Sequence, residues 1–157
     1  MKKLPLFLIP ALMQLGACTS MPLTPPKQPA ASSRAEVIVF REHAFNSGGV
    51  SATFGANEQA FVYLGNAEYA SIFFAPGTYR FFVRARSEDA LTLEQTVKAD
   101  EKHCLKTFAN PLNLAKAFVP FGRLMISDPT FLLVEVECPS SGQLAKYSRV
   151  EVEYQKQ

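Results

Sequence analysis

The chain has 157 residues, 48% of them apolar and 19% charged, with 13 Phe and 5 Tyr. That is one domain's worth of sequence, too apolar and aromatic to remain disordered throughout. Sixteen Lys and Arg stand against 14 Asp and Glu, so there is no basic surplus of the kind that nucleic-acid binding uses.

Lys2 and Lys3 open the chain and an apolar run follows, broken by Pro5, Pro10 and then Gln14. A membrane-spanning helix needs about 20 apolar residues. The stretch is shorter than that and has the layout of an export signal. Its end, Leu15-Gly16-Ala17-Cys18, resembles the bacterial lipobox at all four positions. The resemblance implies a signal peptide over residues 1–17, cleavage after Ala17, and a diacylglycerol thioether on Cys18 with fatty acyl chains such as palmitate. Thr19, rather than Asp, follows the cysteine. By the sorting rule of enteric lipoproteins this implies the inner leaflet of the outer membrane, facing the periplasm. The alternative is an ordinary secretory signal with an unrelated Cys18. Loss of Lys2 and Lys3 with the signal would leave the two charge signs in balance.

Residues 18–34 form the expected tether. Pro22, Pro25, Pro26 and Pro29 remove donors and fix φ, which predicts an extended, largely unpacked segment reaching some 50 Å at ~3.1 Å per residue.

The domain is placed at 35–157. Glu36–Arg41 is apolar on both faces, as a central strand would be. Val50, Ala52 and Phe54 alternate with Ser51 and Thr53, the period of a strand. Asn57-Glu58 is a turn, Gln59–Leu64 a strand, Gly65-Asn66 a hairpin-type signal, and Glu68–Phe74 another strand. Ala75-Pro76-Gly77-Thr78 reads as a type II turn. Tyr79 to Ala85 and Leu91 to Val97 then alternate, predicting an antiparallel meander with one face buried. His103–Phe108 is a further strand. In Phe131–Glu137, Leu132, Val134 and Val136 are expected to face inward with Cys138, and Glu135 and Glu137 outward. Ser148–Tyr154 alternates through Val150 and Val152. Seven to nine short strands with turns between them predict an all-β fold, a small antiparallel β-sandwich.

The stretch Phe61–Phe81, together with Val39-Phe40-Arg41, Tyr69, Pro76-Gly77-Tyr79 and Cys104-Leu105, resembles a widespread, uncharacterised family of Gram-negative lipoproteins. The likeness covers roughly residues 36–108. It implies a PEGA-like β-sandwich and carries no catalytic residues. Pro111–Ile126 departs from that pattern. There Pro111 is expected to open one or two helical turns that Pro120 and Gly122 stop. Leu114, Phe118 and Phe121 could share a face, either as a lid over one end of the sandwich or as a contact for a partner or the membrane.

Of the three cysteines, the anchor takes Cys18, and an exported location makes Cys104–Cys138 a candidate disulfide, the alternative being two buried thiols. His43 and His103 are the only other soft ligands and share no metal spacing, so neither a metal nor a cofactor is expected. Ser71, Asp100, Glu101 and His103 supply the parts of a hydrolytic site singly, and His43 stands beside Glu42, but no G-x-S-x-G elbow occurs. Arg80, Arg84 and Arg86 share a strand face that could bind an anion, a glycan or a lipid headgroup with Tyr79 or Phe82. The plainer reading is a solvated face paired with Glu88, Asp89 or Glu94. The expectation is therefore a lipid-anchored, non-catalytic accessory module whose partner is another envelope protein, with ligand binding at the arginine face as the alternative.

Overall fold

The structure is a computed structural model and describes residues 22–45, 49–85, 90–113 and 129–155. Among these residues the nine strands are β1 (Ala35–Arg41), β2 (Ala52–Ala56), β3 (Gln59–Leu64), β4 (Glu68–Phe74), β5 (Gly77–Arg84), β6 (Leu91–Val97), β7 (Lys102–Ala109), β8 (Phe131–Val136) and β9 (Ser148–Arg149). One helical turn, α1 (Ser141–Leu144), precedes β9. A five-stranded sheet in the order β8-β7-β1-β4-β9 faces a four-stranded one in the order β3-β2-β5-β6. The fold is an all-β sandwich, as the alternating runs predicted.

The pairing is not purely antiparallel. β1 lies parallel to β7, and β4 parallel to β9. The chain changes sheet where the sequence read as a hairpin. Gly65-Asn66 carries the chain from β3 to β4 in the opposite sheet, with Ala67 at φ 55°. Pro76-Gly77 likewise joins β4 to β5 across the sandwich, and Gly77 at φ 159° is nearly extended rather than the left-handed corner of a type II turn. A two-residue hairpin turn stands instead at Asn57-Glu58, both residues at positive φ (48° and 68°), the signature of a type I′ turn whose twist matches its strands.

β1 sits in the middle of its sheet and is buried on both faces. Val37 and Val39 point into the main core with Phe54, Phe81, Ile72, Leu105 and Phe131. Ile38 and Phe40 point the other way, where Cys104, Tyr69, Val136, Leu144 and Tyr147 complete a second cluster. α1 and the turn after it thus roof the outside of the larger sheet, with Tyr147 edge-on to Phe40 at 5.5 Å. This second cluster corrects the expected facing of β8. Phe131 and Leu133 are the core residues, and Val134 is exposed. Beyond β9 the chain continues without a ladder, although Val150 and Val152 still pack on the core. The sulfurs of Cys104 and Cys138 lie 2.12 Å apart with Cα atoms at 5.0 Å, the geometry of a disulfide. It ties the start of β7 to the chain just past β8.

The proline segment is packed rather than free. Thr24 N donates to the carbonyl of Ala60 at 2.7 Å, and Gln155 donates from its backbone N to Pro26 O and from Nε2 to Pro25 O. Pro26 is buried. Proline cannot donate to a ladder but its carbonyl accepts and its ring packs, so the segment closes the side of the sandwich between β3 and the chain beyond β9.

Candidate functional site

The arginine face forms on the outside of the smaller sheet. In β5, Thr78, Arg80, Phe82 and Arg84 alternate with the inward Tyr79, Phe81 and Val83. Phe82 pairs with Gly55 across the strands and is buried although it points outward. Its ring occupies the space a side chain at 55 would need: a Cβ there would lie 2.6 Å from Phe82 Cζ and 2.0 Å from the carbonyl of Gln59. The Arg84 guanidinium lies 5.6 Å from the Phe82 ring centroid, and Glu58, Arg80, Phe82 and Arg84 line an open cleft of about 260 Å³. Glu58 shares that cleft, and Glu94 stands directly across from Arg80, so the face is mixed in sign. Tyr79 does not belong to it. It points inward against Phe74 at 4.9 Å and donates its hydroxyl to Ala75 O. Arg86 lies outside the described residues.

His103 enters a different setting. Its neighbour Cys104 belongs to the outer cluster, so His103 points inward. Glu135 pairs with the core residue Leu105 and also points inward. At the open side between the edge strands β6 and β8, His103 Nδ1 lies 3.1 Å from Glu135 Oε1, and Nε2 lies 3.2 Å from Glu101 Oε2. Gln95 of β6 donates Nε2 to the same Glu135 oxygen at 3.1 Å. Inward-pointing polar groups at a sheet edge discourage pairing with another chain. Burial works against the Glu101 carboxylate, but Lys98 and His103 outweigh it and hold the group below its usual range. Ser71 pairs with Ile38 on the outer face and donates to Glu36 at 2.6 Å. Ser71 and His103 therefore stand on opposite faces of one sheet and form no nucleophile–base pair. His43 is exposed, and Glu42 instead meets Lys106 Nζ at 2.7 Å. Among the described residues no group of three or more His, Cys, Asp or Glu is placed to hold a metal ion.

A second opening lies under the proline segment. Pro26, Lys27, Pro29, Phe61, Phe73 and Tyr79 are among the residues lining a groove of about 390 Å³. Two of its amides are engaged elsewhere: Asn57 Oδ1 accepts from Arg80 N, and Gln155 Nε2 donates to Pro25 O.

Sequence reading missed Arg41 as a core residue. It is fully buried at the end of β1, next to the equally buried Thr107 of β7. Nη1 donates to the carbonyls of Val50 and Leu64, the latter at 3.0 Å, and the guanidinium stacks 4.6 Å from the Phe131 ring. Burial pulls the guanidinium pKa downward and Glu68 opposes the shift. The available signal was an arginine closing an otherwise apolar strand. Close by, buried Asn110 ties the chain to Pro129 and Thr130. Residues 111–113 are helical as Pro111 predicted, with Leu112 58% exposed. Leu114, Phe118 and Phe121 lie outside the described residues, as does Cys18. No helix among the described residues is long and apolar enough to cross a membrane. No protein-family model, curated protein or solved structure matches the chain.

Proposed function

We propose that the protein is a lipid-anchored component of the cell envelope, attached through Cys18 to the inner leaflet of the outer membrane. Its sandwich is a non-catalytic interaction or accessory module whose partner is another envelope protein. One observation carries this reading: an export-type segment that ends in Leu15-Gly16-Ala17-Cys18. The Cys104–Cys138 pair at bonding distance supports it, because such bridges persist in oxidising compartments. The separation of Ser71 from His103 supports a non-catalytic role. Labelled palmitate should enter the wild-type protein and not a Cys18→Ala variant, and that variant should leave the membrane fraction. Equal labelling of both would overturn the reading.

The cleft between Arg80, Phe82 and Arg84 favours a second reading, binding of an anionic headgroup or glycan at that face. Its test is retention by anionic vesicles, which Arg80→Glu should weaken at low salt, since exposed charges are screened as salt rises.

A further inference from the structure

We propose that the proline segment is a strap that fixes which end of the sandwich meets the lipid surface, the contact being the end that carries the β2–β3 turn and the start of β1. This inference rests on the lipid anchor proposed above.

The sandwich has two distinct ends. At one lie the start of β1, the end of β4, the Asn57-Glu58 turn, the end of β6 and the start of β7, as the registers Ala35↔Phe74, Glu36↔Lys102, Ala56↔Phe81 and Gly77↔Val97 place them. At the other lie Arg41, Val50, Leu64, Asn110 and Phe131. The strap belongs wholly to the first. It enters at Thr24 on the carbonyl of Ala60, is held at Pro25 and Pro26 by Gln155, and finishes at Arg34, whose guanidinium covers the Phe73 ring at 4.0 Å. Arg34 O also accepts from Asp100 N at 2.9 Å.

Docking shortens the leash. Six residue steps separate Cys18 from Thr24, which span at most about 20 Å. An undocked tether would reach about 50 Å. The strand direction adds about 20 Å between the two ends for a seven-residue strand such as β1. A leash no longer than the sandwich is tall keeps the strap end near the lipid surface, and contact of Leu23 with the bilayer turns the Arg41 end away from it. Leu23, the residue just before the docking point, is 41% exposed. The sandwich leaves that apolar side chain uncovered on the membrane side of the strap, where a bilayer would bury it. The loop-bearing far end is then the part presented to other proteins.

The test uses the acylated full-length protein in vesicles that contain acceptor-labelled lipid. A donor is attached through a bioorthogonal side chain at Lys98, at the strap end, or at Phe45, which is fully exposed at the far end; both leave the disulfide intact. Because the two ends stand about 20 Å apart along the strands, energy transfer should be about twofold or more stronger from position 98. A Gly/Ser insertion of 12 residues between Leu23 and Thr24 adds a coil of about 20 Å and should shrink that difference while the strap stays docked. Equal transfer from both positions, or stronger transfer from 45, in protein that floats with the vesicles overturns the orientation and leaves the anchor standing. Protein that does not float overturns the anchor and the orientation with it.

Discussion

Glu36 shows how one half-buried carboxylate links the sheet to pH. Burial alone would push it upward, but the hydrogen bonds from Lys102 at 2.8 Å and Ser71 at 2.6 Å, with Arg149 nearby, outweigh burial and hold it below its ordinary value. A carboxylate depressed in the folded state contributes stability above its unfolded pKa and loses it as pH falls through the folded one. Denaturation midpoints of the wild type and Glu36→Gln should therefore differ at neutral pH and converge only below the usual carboxylate value of about 4.3. A constant difference across that range would remove this account of Glu36. At Arg41, Ala substitution leaves the Val50 and Leu64 carbonyls without their donor and a void beside Phe131. The expected loss is about 3 kcal/mol, read from the same denaturation curves. Gly55→Ala is the sharper case. The added methyl meets backbone oxygen and the Phe82 ring at once, and the expected cost is about 3 kcal/mol or more. If Gly55→Ala proved neutral, the close stacking of Phe82 on β2 would be wrong.

At the scale of elements, the disulfide has a defined task. β8 is an edge strand joined to β7, and Cys138 is its covalent tie to the strand it pairs with. The bridge closes a loop of 34 residues, worth about 3–4 kcal/mol on the chain-entropy model. Cys104→Ser with Cys138→Ser should lower the unfolding free energy by that amount while the far-ultraviolet spectrum keeps its β character. Reductant should lower the wild type equally and leave the double variant unchanged.

The elements also show which parts of the fold could be read from sequence. Strand positions followed from period-two runs such as Tyr79–Val83 and Leu91–Val97, because those strands have one core face and one polar face. β8 defeated that logic. Its sheet carries apolar clusters on both faces, so Phe131-Leu-Leu-Val has no polar parity marker. Glu135 points inward because His103 and Gln95 receive it there, a compensation that depends on a distant strand. The parallel pairs β1–β7 and β4–β9 depend on where the chain crosses between sheets, which local turn residues do not encode. The arginine face was legible at Arg80 and Arg84, since alternation places them together. Tyr79 was misassigned because Pro76-Gly77 delivers it to the core side. The proline strap was missed because composition reports stiffness and missing donors, not the carbonyls that Gln155 holds.

For the whole molecule, the sandwich, the disulfide and the docked proline segment make one packed module. The proposed anchor gives those features a shared purpose: a domain held at a lipid surface with one end outward. The central claim is the covalent event at Cys18, and intact mass analysis of the native protein extracted from membranes tests it most directly. The account predicts a chain that begins at Cys18 and carries acyl groups on that residue. A chain that retains Met1, or a mature form without acyl groups recovered from the soluble fraction, would contradict it.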